Sequence, residues 1–114
     1  MNTTMIWQKL TDVAQLDQLT QESHDLPVGI FKHSTRCSIS ATALDRLERN
    51  WPGTDALKMY YLDLLAHRDI SNAIVEKYGV QHESPQFILL KNGSAVYHES
   101  HYGINAADIL EQAQ

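Results

Sequence analysis

The chain has a single cysteine, Cys37, in 114 residues. An internal disulfide needs two, so a disulfide-stapled secreted scaffold is excluded, and so is an all-cysteine zinc site within one chain. Whatever covalent chemistry Cys37 performs therefore involves another molecule. An excess of positive charge is also missing: nine basic against fourteen acidic side chains give a formal net charge of −5. That balance opposes phosphate backbones and anionic lipid surfaces, which argues against nucleic acid and membrane as partners. Nowhere do roughly eighteen apolar residues follow one another, and the first ten residues lack the basic segment and apolar run of a secretory signal. The expected location is the cytoplasm. There is no low-complexity stretch, and 43% apolar with 20% charged residues is the composition of an ordinary folded protein. Residues 1–114 are expected to form a single domain with a modest core.

What is present reads as alternating helices and strands. Val13, Leu16 and Leu19 recur at three-residue spacing behind Thr11, which predicts a first helix over 11–19 capped by that threonine. Val28 to Phe31 form a short apolar run after Pro27, as in a strand covered on both faces, and a loop follows at His33 to Arg36. From Cys37 to about Asn50, Ile39, Ala43, Leu44, Leu47 and Trp51 mark one face of a helix that Pro52 and Gly53 end. Leu57 to Leu65 reads as a second buried strand interrupted by Asp63. Asp69 is placed to cap a third helix with Ile70, Ala73, Ile74 and Tyr78 on its apolar face and Gly79 at its C-terminal cap. Phe87–Lys91 and Ser94–His98 flank Asn92-Gly93, the dipeptide suited to a type I′ hairpin turn. Asn105 caps a last helix, with Asp108 at its third position and Ala106, Ile109, Leu110 and Ala113 forming the stripe.

Buried strands joined through helices must run parallel, and the closing hairpin is antiparallel. The order α, β, α, β, α, β, β, α then gives a three-layer α/β fold with a central mixed sheet and helices on both faces. That is a thioredoxin-like topology, though periodicity alone leaves other small three-layer folds open.

The residues around the cysteine narrow the choice. Cys37 opens a helix, where unpaired N–H groups and the positive end of the macrodipole favour an anion such as a thiolate. The dipole alone supplies only about 0.3–1 kcal/mol, so cationic neighbours (Arg36, with Lys32 and His33 upstream) and backbone donors at Ser38 to Ser40 are expected to complete the activation. A lone cysteine is often just a small buried hydrophobe. Here Ser34 to Ser40, including Thr35 and Ser38, make the surroundings polar and favour an exposed, reactive sulfur. Ser40 stands where a C-x-x-C pair has its second cysteine, so the mechanism must be monothiol: Cys37 attacks a protein mixed disulfide, retains the small thiol and is regenerated by a second one. Ser40 either lies near the sulfur or only caps the helix or bonds to the preceding turn.

Pro85 enters the hairpin, and by analogy with thioredoxin-like folds, where a cis proline lies beside the active cysteine, Ser84 would dock an extended substrate. His98-x-x-His101 straddles a strand end without further ligands at metal spacing, so no metal is expected. Asp63 is either a buried acid for proton transfer or a strand-end residue paired with Lys or Arg.

FKHSTRCSIS from Phe31 to Ser40, YLDLLAHRDIS from Tyr61 to Ser71, HESPQ from His82 to Gln86 and Ser100-His101 together resemble the monothiol bacilliredoxin family, over nearly the whole chain after about residue 26. The resemblance implies removal of bacillithiol from S-bacillithiolated client proteins, with Cys37 as nucleophile, Pro85 in cis and no cofactor beyond the small thiol as co-substrate. Lys32, Thr35, Arg36, Ser38, Ser40, Ser84, Pro85 and His101 form the expected thiol- and substrate-binding set, His101 through its place before the last helix, by resemblance to glutaredoxin-like folds. The alternatives are an iron–sulfur module of the monothiol glutaredoxin type, weakened because Cys37-Ser38-Ile39-Ser40 is not C-G-F-S, and a sensor whose cysteine is merely capped by small thiols.

Overall fold

A computed structural model describes residues 6–53 and 56–114. Five strands form one sheet: β1 (Trp7–Lys9), β2 (Val28–His33), β3 (Lys58–Asp63), β4 (Gln86–Lys91) and β5 (Ser94–Ser100). Their spatial order is β1-β3-β2-β4-β5. β1 and β2 both run parallel to β3, β4 runs antiparallel to β2, and β5 antiparallel to β4. Four helices connect them: α1 (Gln15–Glu22), α2 (Ser38–Asn50), α3 (Arg68–Tyr78) and α4 (Ala106–Ala113).

Strand alternation sends the buried side chains into two cores. On one face Phe31, Met59, Phe87 and Leu89 pack against Ala43 and Leu47 of α2 and Ala106 and Ile109 of α4. On the other, Val28, Ile30, Leu62, Ile88 and Leu90 pack against Leu16 and Leu19 of α1 and Ile70 and Ile74 of α3. The sheet is thus covered on both sides, which explains why its central strands read as continuous apolar runs. Gly29 is required in β2 for close packing, since a Cβ there would lie 2.7 Å from the Phe87 ring and 2.8 Å from Met59 Sδ.

Several local signals are realised as read. Asn92 and Gly93 turn the hairpin with φ of 53° and 83°, the two positive values of a type I′ turn. Gly79 closes α3 in the left-handed conformation. Asn105 Oδ1 accepts from Asp108 N–H at 2.9 Å, the predicted N-cap. The hairpin turn is also tied to the end of α1: Asn92 N–H donates to Ser23 O at 2.8 Å and Gly93 N–H to Ser23 Oγ at 2.8 Å.

Other boundaries differ. The first helix begins at Gln15 instead of Thr11, because Asp12 and the Gln15 side chain, which takes the Thr11 and Asp12 N–H groups, organise a turn ahead of it. His67, not Asp69, precedes the first turn of α3, and Asp69 lies within that turn. β1 had no counterpart in the sequence reading. It is three residues long with exposed Gln8 and Lys9, and it is held by pairing with Met59–Tyr61 and by Trp7 Nε1 donating to Glu48 Oε2 at 2.8 Å. Long-range partners, which no local pattern reveals, make it a strand.

Candidate functional site

β2 runs two residues beyond its apolar stretch, through Lys32 and His33, and the chain then turns at 34–36 into Cys37, the N-cap of α2. Cys37 is extended at φ −110° and ψ 121°, and its carbonyl accepts from Ala41 N–H at 3.0 Å. Its N–H donates to Ser34 O at 3.2 Å, which closes the turn. The thiol is half-buried and makes no side-chain capping bond. The first N–H groups of the helix are therefore left to an anion at the sulfur.

The docking segment lies alongside. Lys32 pairs with Gln86 across β2 and β4, so Ser84 and Pro85, which lead into β4, lie at the end of the sheet where His33 leaves β2. The Ser84–Pro85 peptide is cis. Pro85 O accepts from His101 N–H at 3.1 Å, so the loop after β5 joins the same end of the sheet. His101 has a positive φ of 55° and is exposed, with Nδ1 3.7 Å from Glu83 Oε1. Ser100 Oγ donates to the same carboxylate at 2.5 Å. Glu83 thus organises this rim. Thr35, Arg36 and Ser38 are exposed around the sulfur, and Arg36 makes no hydrogen bond or ion pair with the described residues, which leaves its charge available to a ligand. Cys37, Thr35, Arg36, Ser38, Ser84, Pro85 and His101 are gathered at one end of the sheet. Exposed Ile39 and Tyr102 add apolar surface to its rim.

Lys32 does not join them. Adjacent strand residues point to opposite faces, and Lys32 leaves β2 on the α1/α3 side, fully buried, with Nζ 3.1 Å from His82 Nδ1. Ser71 Oγ also lies 3.4 Å from that nitrogen. The expectation that Lys32 supplies charge to the sulfur is therefore corrected: its ammonium serves the other face. Burial lowers its pKa to about 8. Partial burial, then the charges of Lys32 and Arg68, hold His82 below the ordinary histidine value.

His33 is corrected as a cationic neighbour too. Its ring is buried, 6.2 Å from Phe31 and 5.6 Å from Tyr61 between centroids. Burial lowers its pKa and outweighs the carboxylates of Asp63 and Glu48, which favours the neutral ring. Its Nδ1 is 2.6 Å from Ser40 Oγ, which also accepts from Ser34 N–H at 3.0 Å. Ser40, fully buried, thus bonds to the preceding turn and additionally to a histidine that the sequence reading left outside the binding set. The signal was alternation: once β2 extends to residue 33, His33 must face α2 with Phe31. Asp63 sits at the end of β3 and accepts from the N–H groups of Leu65 and Ala66 at 3.1 and 3.2 Å, so backbone donors hold it in place of a Lys or Arg.

Comparison with known proteins bears on this arrangement. A family model described as monothiol bacilliredoxin BrxC matches residues 8–109. Among solved structures, a candidate oxidoreductase with a thioredoxin fold superposes with a TM-score of 0.80 at 33% identity, over 93% of this chain and 92% of that one. The thioredoxin of Malassezia sympodialis superposes at 0.73 with 18% identity, over 99% and 92% of the two chains. That of Fasciola hepatica gives 0.70 with 18% identity, over 93% and 95%. The two thioredoxins speak for the fold alone.

Proposed function

Because the chain belongs to the monothiol bacilliredoxin family, we propose that it removes bacillithiol from mixed disulfides on client proteins by a one-cysteine mechanism. A thiol redox role follows from the family and the thioredoxin fold; the substrate and the steps are the proposal. The Cys37 thiolate attacks the bacillithiol sulfur of the client disulfide, so that a Cys37–bacillithiol disulfide forms. The client cysteine departs with the bonding electron pair and takes a proton from water. A second bacillithiol thiolate then attacks the bacillithiol sulfur held on Cys37, which releases Cys37 and yields bacillithiol disulfide.

The observation that carries this reading is that the chain's one cysteine, half-buried at a helix start, lies at the same end of the sheet as the cis Ser84–Pro85 segment. In that geometry an extended client can pair with backbone next to Pro85 while its disulfide faces the sulfur, and Arg36 with the free N–H groups of α2 offers positive potential to an anionic small thiol. Thr35, Ser38, Ser84 and His101 are the further contacts we assign to thiol and client. We place the reaction in a reducing compartment, the cytoplasm, where one free thiol persists.

The test is mass spectrometry of a bacillithiolated client incubated with wild type or Cys37→Ser. Transfer of the bacillithiol mass to the wild-type protein, with none on the variant, is expected. Equal reduction of the client by both proteins removes Cys37 from the role.

A further inference from the structure

The segment that leads into β4, from Gln81 to Pro85, is held at several points and open at one. Gln81 O accepts from the buried Gln86 Nε2 at 2.9 Å, Glu83 accepts from Ser100 Oγ, and Pro85 O accepts from His101 N–H at 3.1 Å. His82 is held on the α3 face, where its Nδ1 lies 3.1 Å from Lys32 Nζ and 3.4 Å from Ser71 Oγ. Ser84 is the exception. Its backbone N–H and C=O make no hydrogen bond with the described residues, and its hydroxyl oxygen is buried without a partner.

The Lys32 contact has a definite sense. Lys32 titrates near pH 8 and is an ammonium at pH 7. An ammonium has three donors and no acceptor, so Nδ1 accepts and the His82 ring carries its proton on Nε2. The His82 pKa, lowered by partial burial and by the charges of Lys32 and Arg68, fits that neutral ring. Lys32 is fully buried while His82 is exposed, so a surface ring is fixed by a charge beneath the surface. Moving His82 away would leave the ammonium without its one hydrogen-bond partner, and a stranded charge costs more than a stranded neutral donor. The charge therefore holds the segment more firmly than a neutral donor would. Packing alone does not account for it, because a buried cation without a carboxylate is worse for the fold than an apolar side chain of similar size.

We infer that Lys32 is a positioning residue for client docking: by donating to His82 it latches the segment from His82 to Ser84, and so holds the unpaired Ser84 backbone ready for an extended client. This deepens the reading of Cys37 as acceptor of bacillithiol from clients and rests on it. A segment already in its docking arrangement loses little further freedom when the client arrives. Lys32 acts on the population of that arrangement and leaves the sulfur alone, since its side chain leaves β2 on the face away from α2. Its loss therefore weakens client binding without slowing the chemical steps.

The first measurement uses the unmodified protein: 15N shifts of the His82 ring at pH 7 should report a bare Nδ1 and a protonated Nε2. A protonated Nδ1 cannot accept from Lys32, and the inference falls. The second follows turnover of a bacillithiolated client, with bacillithiol in excess, by wild type, Lys32→Met, His82→Ala and His82→Asn. KM for the client should rise about tenfold in Lys32→Met and His82→Ala, as when the docking arrangement falls to about one-tenth of the population, with kcat within about twofold of wild type. His82→Asn keeps an acceptor in the place of Nδ1, so its KM should stay within about twofold of wild type. Iodoacetamide alkylation of Cys37 in Lys32→Met should also stay within about twofold. A wild-type KM in Lys32→Met, a loss confined to kcat, or slowed alkylation overturns the inference. The third is independent of bacillithiol: backbone order parameters from His82 to Ser84 should fall from about 0.85 in wild type to below about 0.6 in Lys32→Met, and unchanged values count against the latch. Should wild type never take bacillithiol onto Cys37, the transfer reading fails by itself, and the ring shifts and order parameters still decide whether Lys32 holds the segment.

Discussion

Lys32 and His33 follow one another in the chain, are both buried, and leave β2 on opposite faces. On the α2 face, His33 meets a serine hydroxyl that is itself held by a backbone N–H, and two aromatic rings. On the α3 face, Lys32 carries a charge whose one hydrogen-bond partner is His82, with no carboxylate to balance it among the described residues. The adjacent Gln86 side chain, buried on the same face by register, donates Nε2 to Gln81 O at 2.9 Å and leaves its Oε1 without a partner. Around His33 Nδ1 the polar groups are paired. The α3 face keeps an unbalanced cation and an orphan acceptor, both of which cost stability. Burial of a polar group is thus no measure of its contribution; the partners decide its sign.

The largest expected effect comes from breaking the pairing around His33 Nδ1. Ser40→Ala removes the partner of both Ser34 N–H and the His33 ring nitrogen, and urea unfolding at pH 7 should show a loss of about 2–4 kcal/mol. A loss under about 1 kcal/mol would mean that the two faces do not differ in this respect. The next effect has the opposite sign. Lys32→Met removes the unbalanced charge and should gain about 1–3 kcal/mol at pH 7. The folded-state pKa of Lys32, about 8, lies below the ordinary lysine value of 10.5. The unfolded chain therefore binds more protons between those two pH values, and wild-type stability rises across that window. The methionine variant's advantage should be complete below about pH 8 and should fade as the pH approaches 10.5. Unfolding curves at pH 7 and pH 10 check this, and an advantage unchanged between them contradicts the assignment. The smallest effect is the coupling. Because the sheet separates the two side chains and they share no partner, the double variant should equal the sum of the singles within about 0.5 kcal/mol. A larger coupling would show that the β2 backbone transmits strain from one face to the other.

These two residues also mark how far the sequence could be read. An apolar run predicts a strand only as far as it lasts; this run ends at Phe31, and a loop is expected at His33 to Arg36. Lys32 and His33 remain in the strand because of partners distant in the chain: His82 is fifty residues from Lys32, and Ser40 seven from His33. Where the determinant is local the reading holds. The Asn92-Gly93 turn, the Gly79 cap and the Asn105 cap each depend on residues within a few positions, and each appears as predicted. The candidate site divides in the same way. Cys37 at a helix start and the Ser84–Pro85 segment carry local signatures, whereas the His33–Ser40 contact and the place of Glu83 at the rim depend on which strands are neighbours. β1 escaped notice for the same reason, since three residues cannot show a period.

At the end of the sheet away from Cys37, Ser23 accepts the backbone N–H groups of both Asn92 and Gly93. Hairpin tips usually exchange their amide hydrogens with solvent within moments because water is their only partner. Here both amides should instead exchange only when α1 lifts from the hairpin, so their protection reports, from a distance, whether the first and last thirds of the chain are still docked.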